Sequence, residues 1–321
     1  MNILITGSSG FIGYNICNFF LKKNNNVFGL DNFFSSSSEK TQKLLEKFPN
    51  FKFYEIDIRK KKEMEPIFTG IDAVVNLAGQ VSVQRSFNNV LENDSINSQG
   101  FINILDLCLK KKIKHLVFAS SCSVYGETNK IPVSEGFSLN PKSPYAASKI
   151  SNEIYSQVFC NSNYQTVITG LRFFNVVGPW QSVDSDYGAV IPRWINSFFK
   201  NEVPTIFGDG QASRDFIDVE DISNIVNLII TTNKKYSFEI FNVGSGKETK
   251  IINLFNTMKN VMKKKSVNFN FENPKFDKKR TGDIMRSVSN NSKISNFFEY
   301  KDYIDIEKSI TTILSMQYKK K

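Results

Sequence analysis

Histidine is almost missing from this chain: His115 is the only one among 321 residues. It stands just before the apolar run Leu116-Val117-Phe118, a strand-edge setting that reads as structural and argues against chemistry built on a histidine base. Cysteine is scarce too. The four present, Cys17, Cys108, Cys122 and Cys160, show no CxxC spacing. Three of them sit in apolar, core-like surroundings, which argues against a metal centre or a disulfide framework. No stretch comes near the ~18 consecutive apolar residues that a membrane span requires. The N-terminus, Met1-Asn2-Ile3-Leu4-Ile5-Thr6-Gly7, is an apolar run entering a glycine turn, without the basic flank or cleavage site of a signal peptide. The expectation is a cytoplasmic protein with neither a metal nor a membrane partner.

Negative charge is also short. Acidic residues number 31 against 41 Lys and Arg, a formal net charge of +10. The basic residues fall in short clusters at 60–62, 110–112, 263–265 and 278–280, amid a general excess of Asn, Phe, Ile and Lys. Such scattering reads as solvated faces and not as a nucleic-acid groove, although a nucleotide diphosphate would welcome the positive field. Apolar residues at 40% and charged residues at 22% are ordinary for a globular protein. The length allows one large α/β domain and a smaller lobe.

What is present is a rhythm. Apolar runs at 2–6, 27–31, 51–56, 72–77, 116–120 and 166–172 predict strands. Between them, helical spacing is seen at 11–23 (Phe11, Ile12, Ile16, Phe19, Phe20), through Phe101, Ile104, Leu105 and Cys108, and from about Tyr145 to Cys160. This alternation predicts a doubly wound parallel sheet of the Rossmann type over residues 1–174. After Gly178-Pro179 the rhythm gives way to loops and short helices, and 268–280 reads as polar and irregular. A smaller substrate lobe drawn mainly from 175–321, with some segments returning to the first domain, is expected over the open strand ends.

Gly7-Ser8-Ser9-Gly10-Phe11-Ile12-Gly13 follows the first strand and opens the first helix. Glycines at this GxxGxxG spacing let the backbone approach a pyrophosphate seated on the helix N-terminus. Asp31 ends the second strand, about 20 residues on, where a carboxylate accepts hydrogen bonds from ribose hydroxyls and repels a 2′-phosphate. NAD is therefore favoured over NADP. Asp57-Ile58 closes the third strand and suits an adenine contact.

Tyr145-Ala146-Ala147-Ser148-Lys149 places Tyr and Lys on one face of a helix. An ammonium beside the phenol, whose ordinary pKa is about 10, favours its ionised form. Ser120-Ser121-Cys122-Ser123-Val124-Tyr125-Gly126, at the end of the preceding strand, offers a hydroxyl for the same substrate oxygen.

With these residues assembled, the chain resembles the extended short-chain dehydrogenases/reductases over nearly its whole length. The resemblance implies that Tyr145 is the acid/base, that Lys149 binds the nicotinamide ribose, and that Ser121 orients the reacting oxygen. Further cofactor contacts are implied for Gly7, Gly10, Phe11, Ile12, Gly13, Asp31, Asn32, Asp57, Ile58, Leu77, Ala78 and Gly79. The segment from Leu171 to Pro179 resembles the LRYFNVxGP motif of nucleotide-sugar epimerases, whose asparagine, here Asn175, binds the sugar diphosphate. Gly208-Asp209-Gly210 with Arg214-Asp215-Phe216 resembles GDGxxxRDF, and Arg280-Thr281-Gly282-Asp283 resembles RxGD. Arg214 and Arg280 are then the diphosphate's two grips, each guanidinium able to hold two oxygens, with Asp283 on the nucleoside ribose. Ser82, Ser123 and Val190 are further implied substrate contacts.

Related dehydratases carry Asp-Glu just after the position of Ser121; here those places are Cys122 and Ser123. The resemblance thus implies an NAD-dependent 4-epimerase of a UDP-sugar, working through a transient 4-keto sugar that is reduced again on its other face. Where hexose-restricted relatives often carry Tyr, this chain has Ser287, and Ser82-Val83-Gln84-Arg85-Ser86 is similar to the SVxRS segment of N-acetyl-tolerant enzymes. UDP-GlcNAc and UDP-GalNAc are the expected substrates, with UDP-glucose and UDP-galactose next. The alternatives are another nucleotide sugar (UDP-glucuronate or a deoxysugar), a related dehydratase or reductase, and a non-catalytic nucleotide sensor. Asn76 departs from the family's usual His, and Phe216 from the Tyr of some epimerases. A homodimer is expected through helices 99–110 and 146–160, whose Phe101, Leu107, Tyr155 and Phe159 exceed one core-facing stripe.

Overall fold

The computed structural model describes residues 1–34, 39–128, 130–160, 165–182, 190–279 and 284–318. In chain order the strands are β1 (Asn2–Thr6), β2 (Asn26–Asp31), β3 (Phe51–Glu55), β4 (Ala73–Asn76), β5 (His115–Ser121), β6 (Val167–Phe173), β7 (Asn175–Val177), β8 (Thr205–Phe207), β9 (Ser213–Asp218), β10 (Phe238–Val243), β11 (Glu248–Lys250), β12 (Lys275–Asp277) and β13 (Arg286–Ser287). The helices are α1 (Phe11–Lys22), α2 (Glu39–Leu45), α3 (Lys61–Met64), α4 (Val83–Asn88), α5 (Val90–Asp94), α6 (Gly100–Lys110), α7 (Pro144–Cys160), α8 (Val190–Phe199), α9 (Val219–Thr231), α10 (Ile251–Lys264), α11 (Ser292–Phe298) and α12 (Ile306–Gln317). A π-helical turn, Ser95–Gln99, runs directly into α6.

The chain divides into two compact units, the first made of Met1–Gly126, Glu135–Phe173 and Ile222–Asn242. Its sheet has seven strands in the order β3-β2-β1-β4-β5-β6-β10, and the five pairings from β3 to β6 are parallel. This is the doubly wound Rossmann arrangement. Strands buried on both faces read as unbroken apolar runs, and Ile3, Leu4 and Ile5 of β1 are fully buried. The chain leaves β1 toward β2 on one side, while β4 lies on the other. A crevice therefore opens at the carboxyl ends of β1 and β4, the place where sheets of this order bind ligands.

Helix α6 has neighbours on several sides, in α3, α7 and β4. Phe101 and Leu107, expected to exceed one stripe, are therefore buried in the unit's own core, with the Phe101 and Phe118 rings 4.9 Å apart. Phe159 packs partly against the same core. Some of the clustered lysines are locally paired: Lys61 and Lys110 meet Asp106, and Lys111 meets Glu65.

The second unit comprises Glu127–Ser134, Phe174–Asp221 and Val243–Lys321. Its small sheet centres on β9, with β11 antiparallel and both β13 and β7 parallel to it. The core is formed by α8, α10 and α12 through Trp194, Phe198, Leu254, Phe255 and Ile310. Two expectations need correction. The segment read as irregular carries β12, which pairs with β8; its three residues are all exposed and leave no alternation to read. The helices after residue 178 are also not all short, since α9 and α10 have 13 and 14 residues. Of the cysteines, Cys17 and Cys108 are buried, Cys160 packs partly against the first unit's core, and Cys122 is half-buried. Among the described residues no helix is long and apolar enough to cross a membrane, and no cluster of His, Cys, Asp and Glu could hold a metal.

Candidate active site

The glycine turn after β1 is built by close approach. Gly7 has φ +68°, and a Cβ there would lie 2.8 Å from Ala78 N. A Cβ on Gly13 would lie 2.0 Å from Gly7 O, so the first turn of α1 can rest against the loop only with glycine at 13. Gly10 caps α1, and Phe11 and Ile12 form its first turn, where helix geometry leaves N–H groups without intrahelical partners.

Asp31 closes the cradle. Its carboxylate accepts from Ser9 N at 3.0 Å and Phe33 N at 2.8 Å, which leaves about half of its acceptor sites for a ribose diol. Burial raises its pKa, opposed by the backbone N–H groups of Phe33 and Ser9. A narrow glycine seat beside a partly satisfied carboxylate fits a dinucleotide without a 2′-phosphate.

The adenine end differs from expectation. β3 stops at Glu55, so Asp57-Ile58 does not close the strand. Asp57 instead forms a turn, accepting from Arg59 N at 2.8 Å and from the Arg59 side chain, with Asn32 Nδ2 adding a bond at 2.9 Å. The Arg59 hydrogen bonds hold its carboxyl below the usual range. The Ile58 side chain lies in the core against Gly100, and its carbonyl accepts from Asn103 Nδ2 at 3.0 Å.

After β4, Thr6 Oγ1 donates to Asn76 Oδ1 at 2.5 Å and accepts from Ala78 N at 3.2 Å. The departure at Asn76 therefore serves to tie β4 and the loop Leu77-Ala78-Gly79 to β1. A Cβ on Gly79 would lie 3.7 Å from Lys149 Nζ, so this loop runs beside the helix that carries Tyr145 and Lys149.

Ser143 Oγ accepts from Ala146 N at 3.1 Å and Pro144 is the first residue of α7, a favourable helix start. That puts Tyr145 in the first turn and Lys149 one turn on. Lys149 is 5% exposed; its Nζ donates to Ala119 O at 3.0 Å and lies 5.7 Å from the Tyr145 ring centroid. Burial pulls its pKa down to about 8. At the end of β5, Ser121 Oγ accepts from Ser123 N at 3.2 Å and Ser123 Oγ at 2.9 Å. Its lone pairs are thus engaged, and its own proton is available to another acceptor.

Sequence reasoning missed the polar supports. Asn97 sits in the π-helical turn, accepts from Gln80 N at 2.8 Å, and donates to Gln80 O at 2.9 Å and Ser148 Oγ at 3.2 Å. It links the loop after Gly79 to the residue preceding Lys149. Arg172 and Glu153 form a buried ion pair. Their signal was legible, because an arginine inside the apolar strand Val167–Phe173 requires a buried anion.

The remaining candidates lie in the second unit or at its edges. Asn175 starts β7 and donates to Asp215 O at 3.0 Å. Arg214 lies on β9, between Thr249 of β11 and Ser287 of β13 in register, and its Nη1 donates to Ser213 O at 2.8 Å. Val190 opens α8. Ser287 is half-buried, with Arg286 beside it gripping Glu248 at 2.7 Å through both Nε and Nη2. Phe216 packs in the core. In the first unit, Ser82 caps α4, accepting from Arg85 N at 3.1 Å. Arg280 and Asp283 lie outside the described residues.

Residues 3–244 match a family model described as the NAD dependent epimerase/dehydratase family. The chain is similar to the structure of a UDP-N-acetylglucosamine 4-epimerase from Methanobrevibacter ruminantium M1 in complex with UDP-N-acetylmuramic acid. Identity is 32%, coverage 98% of this chain and 97% of that one, and the TM-score 0.88. A UDP-glucose 4-epimerase from Thermotoga maritima with UDP-glucose gives 28% identity, 98% coverage of each chain and a TM-score of 0.88. A UDP-glucuronate 4-epimerase from Thermodesulfobacterium geofontis is 35% identical over 258 residues, 78% of this chain and 77% of its own.

Proposed function

Because the chain belongs to the NAD dependent epimerase/dehydratase family and takes NAD as its cofactor, we propose that it inverts C4 of the hexose in a UDP-sugar. Its substrates on this reading are UDP-GlcNAc and UDP-GalNAc, with UDP-glucose and UDP-galactose also accepted. The observation that carries the reading is the end of β5: Ser121 with its proton available, followed by Cys122 and Ser123 in place of the acids a dehydratase needs.

When bound, NAD supplies hydride chemistry at C4. The chain's own residues handle the O4 proton. Tyr145 takes it, Ser121 donates a hydrogen bond to the same oxygen, and the Lys149 ammonium favours the phenolate. Lys149 has three N–H donors and spends one on Ala119 O, which leaves two for the nicotinamide ribose. Asn175 and Arg214, with Arg280, take the diphosphate, and Ser287 leaves room for an N-acetyl group.

Proton NMR of the purified protein with UDP-GlcNAc, and separately with UDP-glucose, tests the reading. Appearance of the galacto epimers supports it. Unchanged sugars in the presence of bound NAD would refute it, and UDP-glucuronate would be tried next. Tyr145→Phe separates an enzyme from a nucleotide sensor: an enzyme loses its turnover, while a sensor keeps ligand binding and loses nothing.

We further propose a homodimer, through helix α7 and Tyr155 as first expected but without Phe101 and Leu107, which are buried. Leu91 is 83% exposed, and Phe87, Val90, Ile154, Tyr155 and Val158 are also exposed. They lie on α4, α5 and α7, helices that contact one another, and an apolar face of this extent fits a second copy of the chain. Light scattering should return a dimer mass, and Leu91→Asp combined with Ile154→Asp should return a monomer.

A further inference from the structure

The Arg172–Glu153 pair is not used by the chemistry above, yet it lies directly behind it. Arg172 of β6 grips Glu153 of α7 at two points, Nε to Oε1 at 2.9 Å and Nη2 to Oε2 at 2.6 Å, and the side chains are 6% and 7% exposed. Ser120 Oγ donates to Glu153 Oε1 at 2.5 Å. On its other side, Arg172 Nη1 donates to Tyr125 OH at 2.8 Å and Glu135 O at 3.2 Å, while Tyr125 OH donates to Asn242 Oδ1 at 2.5 Å. The network thereby joins β5, the turn carrying Ser123, α7, β6 and β10.

Two neighbouring residues of β5 are held by α7 at positions one turn apart. Lys149 takes the carbonyl of Ala119, and Glu153 takes the hydroxyl of Ser120. Tyr145, Lys149 and Glu153 stand at i, i+4 and i+8, on one helix face. Sliding α7 along β5 would break both contacts together and move Tyr145 relative to Ser121, the next residue of the strand. Stability alone does not explain the pair, because an apolar pair of similar volume usually serves a core as well.

We infer that the Glu153–Arg172 pair is a positioning device, holding α7 at the height on β5 where Tyr145 and Ser121 reach the same sugar oxygen. Tyr125 is part of that frame and not a second acid/base: burial pushes its hydroxyl up to about 12, against the opposing effect of Arg172.

The inference rests on Tyr145 as the acid/base, so its test includes a readout that needs no turnover. Ionisation of Tyr145 in the NAD-bound protein is followed by tyrosinate absorbance, as the difference between wild type and Tyr145→Phe, each background having its own Phe control. In Glu153→Leu/Arg172→Met, Tyr145 should titrate about one pH unit higher. The kcat should fall roughly tenfold or more, with KM within about twofold. Arg172→Lys keeps the buried charge but loses the two-point grip, and should move both readouts in the same direction by less. A loss of thermal stability with unchanged titration and unchanged kcat in these variants would overturn the inference. If the apolar variant fails to fold, Arg172→Lys decides alone, and wild-type behaviour there overturns it. If the wild-type protein converts no UDP-sugar, the proposed function falls, while the titration still decides the role of the pair.

Discussion

The two units treat buried polar groups in opposite ways. In the first, polar side chains around α7 form distributed networks: Asn97 with Gln80 and Ser148, and Glu153 with Ser120 and Arg172. In the second, buried carboxylates gather the bonds, Asp215 most of all, with Asp221 accepting from Tyr300 OH and Ile304 N. Asp215 accepts from the backbone N–H and hydroxyl of both Ser245 and Ser289, and from Gly246 N. Burial raises its pKa and those bonds pull it back. The residue proposed to set selectivity, Ser287, lies two positions from Ser289 on a two-residue strand. The difference suggests a division of labour. On the proposed function, chemistry belongs to the many mutually satisfied contacts of the first unit, and selectivity to a two-residue strand of the second.

The sharpest way to break the comparison is at the residue proposed as its acid/base. Tyr145→Phe removes one hydroxyl and should lower kcat by about 10³–10⁴-fold with NAD content unchanged, as read by steady-state kinetics and the absorbance of released cofactor. A modest loss would show that the first unit does not hold the chemistry. In the second unit, Asp215→Ala leaves several buried donors unmet and should cost about 3 kcal/mol of stability by urea unfolding. A cost near zero would contradict the role of Asp215 as the main anchor of the second unit.

Ser287→Tyr is milder. It should reduce kcat/KM for UDP-GlcNAc by about 10–100-fold and spare UDP-glucose; equal effects on both sugars would remove the gate from residue 287. The smallest effect concerns Lys149. Its folded pKa of about 8 is below its unfolded value, so above pH 8 the unfolded chain binds more protons and stability rises with pH. In the NAD-free protein this group should add about 2 kcal/mol between pH 7.5 and 9.5, a gain that Lys149→Met abolishes in urea titrations.

The legible parts of the molecule are those where chemistry or packing imposes a spacing. The glycines at 7, 10 and 13, the Tyr145/Lys149 pair and the alternation of strands and helices all have this property. Where a feature depended on tertiary neighbours, the sequence was silent or misleading. Phe101 and Leu107 looked surplus because helical periodicity assumes one buried face, and α6 has neighbours on several sides. Asn97 went unseen because a π-helical turn shifts which residues share a face. Asp57 was read as a strand end, although its carboxylate closes a turn on Arg59. β12 is exposed on every residue, and no hydrophobic pattern marks it.

The central claim is that C4 loses one hydride and receives the same one back while Tyr145 manages the O4 proton. It is tested most directly with UDP-GlcNAc carrying deuterium at C4, incubated in ordinary water and examined by NMR. The account predicts UDP-GalNAc that keeps its deuterium at C4. Product with the label washed into solvent, or carried to C6 as in a dehydration, would contradict it.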